Sequence, residues 1–269
     1  MSRIVQAGPG LHVGDYMLAQ TVDRGKVIDR MPKIIDGHRL KKVRIANKEV
    51  AVGAGLESCA CDRLDISWLP FAAEQYHISP NIKDYTIVEL HSVVADIPNR
   101  NMDCMDYQEL TTWRSLHGRP CYSTFVGKPC HQDHDNQDDT KAKGVIFDAS
   151  LVPLTKNVNG KTIWAVKILK GFDRSKDTRL ANLVQQRNRI GHSMGCLVEK
   201  VRCSLPWCQA ISDGVSTTCQ HIAGGAGKGQ VIRNHIVAEH LIDFAYVEDS
   251  SVEDPANVVS LTDYIWNVG

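Results

Sequence analysis

The sequence lacks an excess of charge of either sign, because its 269 residues include 31 Lys and Arg against 31 Asp and Glu. This balance provides no overall electrostatic attraction to nucleic acid or to an anionic membrane. No apolar stretch approaches the ~20 residues of a membrane span, and the first residues lack the apolar core of a signal peptide. We therefore expect a soluble, intracellular protein that binds no membrane and no specific nucleic acid.

A Gly-rich phosphate-binding loop of either standard spacing is also absent, which argues against a nucleotide site. The nine cysteines are an odd number. In a reducing compartment they are better explained as buried thiols, metal ligands or reactive groups than as a disulfide framework. The positions of the cysteines are therefore more informative than their number.

The remaining composition is that of an ordinary globular protein, with 43% apolar and 23% charged residues. Residues 1–80 show little pattern and are interpreted as an N-terminal extension. Residues 81–269 are predicted to form one domain, because short β-rich runs separated by turn residues begin there. Their order, with few helices between the runs, predicts an α+β fold with mostly antiparallel pairing.

Two segments of this domain favour helices. One is Tyr107–Arg114, and the other contains Leu180 and Val184 at helical spacing, with Ser175 or Asp177 able to cap its start. Strands are predicted for the runs of β-branched and aromatic residues at 86–97, 122–127, 144–152 and 162–169.

Ser193 lies between two glycines in the sequence Gly191-His192-Ser193-Met194-Gly195, an arrangement that permits a tight backbone around an exposed hydroxyl. A serine becomes a strong nucleophile only when a base removes its proton, so catalysis requires a histidine and a third group that orients it. His134 is the preferred base, because the carboxylates on both sides of it favour the imidazolium formed in the transition state. His131 is the nearest alternative, and a solvated loop histidine is the ordinary interpretation of either.

The same pentapeptide fits the G-x-S-x-G elbow of α/β-hydrolases, in which the acid and then the histidine follow the serine. His235 or His240 would then be the base of a serine esterase. No HGGG-type oxyanion loop and no regular strand–helix alternation accompany the pentapeptide, which argues against this alternative.

Four candidate metal ligands lie in a Cys/His-rich insert at about residues 196–221, namely Cys203, Cys208, Cys219 and His221. Zinc prefers four such ligands in a tetrahedral arrangement, and four protein ligands leave no open position for catalysis. The C-x4-C and C-x-H spacings are looser than those of a standard zinc knuckle, so free buried thiols are the alternative to a structural zinc.

Several motifs in the same order resemble the prohead maturation proteases of tailed bacteriophages, which are related to the herpesvirus assemblin proteases. The motifs are KPCHQDHDNQDDTKAKGVIFDASL at 128–151, HSMGCLVEKVRCS at 192–204 and LIDFAYVEDSSVEDPAN at 241–257. In that group a D-H-D-N-like loop precedes a G-V-I strand, and an S-M-G-C nucleophile strand precedes a cysteine-rich insert. The insert departs from the group, because it reads CSLPWC where a closer cysteine pair is expected.

The resemblance implies that Ser193 is the nucleophile and His134 the base. The third member of the triad would be Asp243, and Asp133 and Asp148 are the alternatives. The implied fold is assemblin-like, a small, mostly antiparallel β-barrel wrapped by helices, with Ser193 on a barrel strand.

The implied function is a serine endopeptidase that cleaves scaffold and capsid-protein propeptides inside the prohead during capsid maturation, and also cleaves itself. Its partners would be the scaffold and the major capsid protein, with self-association as a further expectation. It would act in the host cell cytoplasm, inside the immature capsid, and catalysis would need no cofactor. The non-enzymatic alternative is a zinc-stabilised structural module of the virion.

Overall fold

A computed structural model describes the protein at residues 3–6, 40–44, 64, 66–185, 190–213, 219–222 and 227–268. Its α-helices in these ranges are short: α1 (Leu69–Tyr76), α2 (Tyr107–Thr111) and α3 (Thr178–Gln185). None of them is long and apolar enough to cross a membrane. Short 3₁₀ turns are found at Ile82–Asp84, Ser115–His117, Cys121–Phe125 and Asp139–Lys141.

Strands form most of the described structure. In chain order they are β1 (Arg3–Gln6), β2 (Leu40–Arg44), β3 (Tyr85–Val94), β4 (Asp103–Cys104), β5 (Trp113–Arg114), β6 (Arg119–Pro120), β7 (Pro129–Gln132), β8 (Gly144–Lys156), β9 (Thr162–Asp173), β10 (Gly191–Cys203), β11 (Ile211–Ser212), β12 (Val231–Ile232), β13 (His235–Ile236), β14 (Glu239–Val252) and β15 (Thr262–Val268).

The main sheet has the strand order β1-β10-β14-β7-β8-β9-β3-β15-β2. Its pairs are antiparallel except where β14 runs parallel to β7 and to β4. A single bridge between Gly191 and Leu261 links β10 to the residue before β15. The α+β class with mostly antiparallel pairing is therefore confirmed. The predicted closed barrel is not formed by the described residues, because this contact is an isolated bridge and not a continuous ladder.

Strand β3 is buried on both faces, which explains why apolar residues occupy both of its faces. Val88 and Leu90 belong to one core cluster, whereas Tyr85 and Ile87 belong to a second cluster on the opposite face. Helix α1 covers the second cluster. Each large side chain buried in this way stabilises the fold by about 1.5–3 kcal/mol.

The helix predicted around Leu180 and Val184 is confirmed as α3. The Asp177 carboxylate caps its start by accepting a 2.8 Å hydrogen bond from the Leu180 amide. Helix α2 is shorter than predicted, because residues 113–114 pair with β6 instead of continuing the helix. The strand predicted at 122–127 is instead largely the 3₁₀ turn Cys121–Phe125.

Helix α1 lies before residue 80 and packs on the same sheet as the residues after it. β1 and β2 also pair with strands of the main sheet. Residues 1–2, 7–39, 45–63 and 65 of the predicted N-terminal extension lie outside the described residues.

Candidate active site

Ser193 lies on β10 directly opposite Ser250 on β14. Opposite residues of an antiparallel pair point to the same face, with Cβ atoms about 4.5–5.5 Å apart. Ser193 is 3% exposed, so the exposed hydroxyl expected from the two glycines is instead buried. Its Oγ has no hydrogen-bond partner in the described part of the chain. A buried hydroxyl without a partner is costly, and such a group is often functional.

His134 is held beside Ser250 by a bent loop that follows β7. Asp133 and His134 have φ angles of 51° and 58°, in the left-handed region. This conformation costs about 1–2 kcal/mol for each residue. Two hydrogen bonds to β14 offset the cost, one from the Asp133 amide to the Ser251 carbonyl at 2.9 Å and one from the His134 amide to Ser250 Oγ at 3.1 Å. Strand β14 therefore fixes the histidine next to the strand that carries the serine.

Glu248 provides the carboxylate that lies against the His134 ring. His134 Nδ1 donates a 2.7 Å hydrogen bond to Glu248 Oε1, and Ser250 Oγ donates a 2.7 Å bond to Glu248 Oε2. The Glu248 side chain is only 1% exposed. When Nδ1 carries the proton in a neutral imidazole, Nε2 carries the lone pair, as a general base requires.

Gly195, the glycine of the S-M-G sequence, leaves space for the Glu248 side chain. It lies opposite Glu248, and a Cβ added at this position would be 2.8 Å from Glu248 Oε1. No side chain fits there unless the carboxylate moves. The glycine thus makes room for the acid that contacts His134.

The structure does not bring Asp243 to His134. Asp243 and Ser250 are seven residues apart on β14, which corresponds to roughly 23 Å along an extended strand. The Asp243 side chain is 63% exposed and lies 3.3 Å from Arg114 Nη1. The structure therefore places Glu248, and not Asp243, at hydrogen-bond distance from His134.

The two alternative acids, Asp133 and Asp148, have other surroundings. Asp133 is exposed and accepts a hydrogen bond from Gln132 Nε2. Asp148 lies on β8 opposite Leu169, and burial raises the pKa of its carboxyl. The 2.7 Å contact between His134 and Glu248 therefore favours Glu248 over both as the orienting acid.

His131, the alternative base, is a register partner of Ser250 on the side away from Ser193. It is 1% exposed, and neither ring nitrogen has a hydrogen-bond partner among the described residues. Burial lowers the pKa of its imidazole, against the opposing effect of the Glu248 charge. Of the two histidines, only His134 has the carboxylate contact that a triad requires.

A buried polar network lies behind the nucleophile strand. Lys170 Nζ donates to Asp249 Oδ1 at 2.7 Å and contacts His192 Nδ1 at 3.2 Å, and all three side chains are fully buried. His192 Nε2 lies 2.9 Å from Thr262 Oγ1. Burial and the Lys170 charge lower the pKa of His192 to about 4. The network fixes His192, which precedes Ser193, and Asp249, which follows Glu248.

The four predicted metal ligands come together at the end of β10. The ligand atoms of Cys203, Cys208, Cys219 and His221 all lie within 4.8 Å of one another. A tetrahedral zinc with Zn–S bonds of ~2.3 Å places its ligand atoms roughly 4 Å apart. The donor set and its spacing therefore fit zinc, whose role with four protein ligands would be structural.

A second cluster combines Cys104, Asp106 and His240. Its carboxylate is already engaged, since Asp106 accepts hydrogen bonds from His240 Nδ1 at 2.6 Å and from Arg202 at 2.9 Å.

The two histidines of the α/β-hydrolase alternative lie away from Ser193. His240 lies opposite Arg202, nine residues from Ser193 along β10, and His235 is exposed on β13. Ser193 lies within a 13-residue strand and not on a strand-to-helix turn. The α/β-hydrolase elbow is therefore not formed.

Comparisons of the chain with protein families, with curated proteins and with solved structures found no match. The function must accordingly be inferred from the site.

Glu248 and Ser250 were not predicted from the sequence. The available signal was the run Glu248-Asp249-Ser250-Ser251 within a strand whose other residues are largely apolar. Four polar residues buried together are costly unless they bond to one another, so such a run indicates a polar site.

Proposed function

We propose that the chain is a serine endopeptidase that cleaves scaffold and capsid-protein propeptides, and itself, inside a bacteriophage prohead. The observation that carries the proposal is the buried His134–Glu248 pair beside the strand that holds Ser193. Serine, histidine and acid are the groups that together activate a hydroxyl for acyl transfer, and the structure already joins the histidine to the acid. The ordered motifs that resemble prohead proteases supply the substrate class.

In this mechanism the Ser193 oxygen forms a bond to the scissile carbonyl carbon while its proton passes to His134 Nε2. The C–N bond then breaks, and the imidazolium returns that proton to the departing amine. Water then attacks the acyl carbon while His134 takes its proton. The ester bond to Ser193 breaks, and the proton passes to the serine oxygen. Glu248 stabilises the imidazolium and keeps its Nδ1–H directed away from the serine.

Ser250 is a positioning residue in this proposal. Its hydroxyl accepts from the His134 amide and donates to Glu248, so it joins the loop to the acid. Because it also lies opposite Ser193, a shift of Ser250 would disturb all three members together.

The insert would hold a structural zinc through Cys203, Cys208, Cys219 and His221, and catalysis would need no cofactor. Thiolate and imidazole ligands at this spacing are the arrangement that zinc favours. The partners would be the scaffold and the major capsid protein, with self-association as a further expectation, in the host cytoplasm inside the immature capsid.

The second candidate function is a non-enzymatic, zinc-stabilised structural module of the virion. The same four-ligand cluster favours it. This alternative gives Ser193 no chemical role, so it predicts no reaction of Ser193 with serine-directed reagents.

Labelling with a fluorophosphonate separates the two functions. We expect intact-mass and peptide mass spectrometry to locate one adduct on Ser193, and we expect slow self-trimming of the purified chain. Ser193→Ala should lose both, while the exposed-serine control Ser115→Ala should keep both. Self-trimming that persists in purified, folded Ser193→Ala would refute the assignment.

A further inference from the structure

A cavity of about 440 Å³ lies against the nucleophile strand. His192, Ser193 and Met194 form one side of it. The end of β3, the loop at 97–105, the ends of β8 and β9 and the loop at 256–259 form the other sides. The cavity is therefore built from separate parts of the chain that meet beside Ser193.

The lining of the cavity is mostly apolar. Val93, Met105 and Met194 are buried at its inner surface, at 5%, 3% and 3% exposure. Ile97 and Val258 also line it but are 44% and 58% exposed. Exposed apolar side chains that cluster around a cavity, unlike single ones scattered on a surface, indicate a place where an apolar ligand binds.

The charged residues of the lining are paired within the protein. Asp103 accepts from Lys228 Nζ at 2.5 Å, and Arg100 forms an ion pair with Asp254. The His192 ring contacts Lys170 and Thr262 through its two nitrogens. These groups therefore do not make the cavity a site for a charged ligand.

The position of the cavity along β10 relates it to the scissile bond. β1 pairs with β10 from Gly195 onward, and the bridge to Leu261 lies at Gly191. The stretch that lines the cavity, residues 192–194, lies between these two contacts. A peptide whose side chain entered the cavity would pass along this stretch, with its backbone beside Ser193.

We propose that this cavity binds a large apolar side chain of the peptide substrate, on a residue close to the scissile bond. The inference rests on the proposed endopeptidase function and adds a substrate class to it. Residues such as leucine, methionine and phenylalanine would be selected, and acidic residues at the same position would be excluded. Selection by an apolar pocket typically reaches about 10- to 200-fold for small changes in an apolar side chain.

The test is the cleavage profile of the purified full chain on a peptide library, read by mass spectrometry. We expect one substrate position close to the cut to be enriched in large apolar residues, with kcat/KM at least about 10-fold lower for the matched peptide carrying Asp there. Val258→Asp should lower kcat/KM for the apolar peptide by about 10-fold or more. Val158→Asp, at a fully exposed valine outside the cavity, is the control and should leave it unchanged.

Fluorophosphonate labelling of Ser193, which needs no peptide side chain, distinguishes the two ways in which the inference could fail. Intact labelling with no apolar preference, or equal losses in Val258→Asp and Val158→Asp, would overturn the role of the cavity and leave the endopeptidase in place. Absence of both labelling and cleavage in the parent protein would overturn the proposed function, and the role of the cavity with it.

Discussion

Glu248→Gln is the substitution that tests the site most directly. The amide has nearly the shape of the carboxylate, so it can stay in the space that Gly195 leaves open. If its oxygen faces His134, the hydrogen bond from Nδ1 is kept but the negative charge that stabilises the imidazolium is lost. If its NH₂ group faces His134 instead, Nδ1 must become the acceptor, and the proton moves to Nε2, where it blocks the base.

Both orientations therefore reduce the rate. Loss of the correct tautomer costs on the order of 10³ to 10⁴ in serine-protease triads, which corresponds to about 4–5.5 kcal/mol of transition-state stabilisation. We expect a loss of this size in peptide cleavage by Glu248→Gln. The second-order rate of fluorophosphonate labelling at Ser193 should fall in the same direction.

Two controls make the result interpretable. Asp243→Asn changes an acid on the same strand whose side chain is 63% exposed, and it should stay within a few-fold of the parent. The rates should be measured below the thermal transition of both proteins, because removal of one partner of a buried pair can by itself destabilise the fold. The reasoning would be refuted if Glu248→Gln kept its rate within a few-fold, or if Asp243→Asn lost as much.

Three further predictions concern Gly195, the metal cluster and His192. Gly195→Ala should destabilise the protein by about 1–3 kcal/mol in urea titrations and also reduce labelling of Ser193, because the new Cβ would displace Glu248; unchanged stability and labelling would contradict this. Elemental analysis should find about one zinc per chain in protein purified without chelator, and none in Cys208→Ser; equal zinc in both would exclude the cluster. The pKa of His192 is lowered from 6.5 to about 4. As pH falls, the unfolded chain therefore binds the proton before the folded chain does. Roughly 3 kcal/mol of stability should be lost between pH 6.5 and 4. His192→Gln should show a flatter pH dependence in urea titrations, and an equally steep one would refute this source.

Much of the site was predictable because it depends on local chemistry. A serine between two glycines, a histidine among carboxylates and four soft ligands in one insert are each visible as residue types at a given spacing. The structure brings the four ligands together, and it places His134 beside the strand of Ser193. The mostly antiparallel pairing was predictable in the same way, from short β-rich runs without regular helices between them.

The third residue was not predictable from the motif, because its identity depends on pairing between distant strands. Asp243 and Glu248 are both acidic residues on the same strand. Only the register with β10 shows that Glu248, and not Asp243, lies close to the Ser193–Ser250 pair, opposite Gly195. The strand predicted at 122–127 was wrong for a related reason. Phe125 packs into the core from a 3₁₀ turn, so its apolar side chain does not indicate a strand.

A β-bulge determines which of two adjacent acids lies on the same face of the sheet as Ser193. Up to Gly195 the register pairs Ser193 with Ser250 and Gly195 with Glu248, whereas Cys196 is already opposite Tyr246, so that Val247 is the extra residue. Without that extra residue, the register beyond the bulge would place Asp249 opposite Ser193 and turn Glu248 to the other face, because side chains alternate along a strand. With it, Glu248 reaches His134 while Asp249 joins Lys170 in the buried network. The two neighbouring carboxylates thus have different partners, one at the site and one in the core. The buried Lys170–Asp249 pair opposes any slip of register that would exchange them.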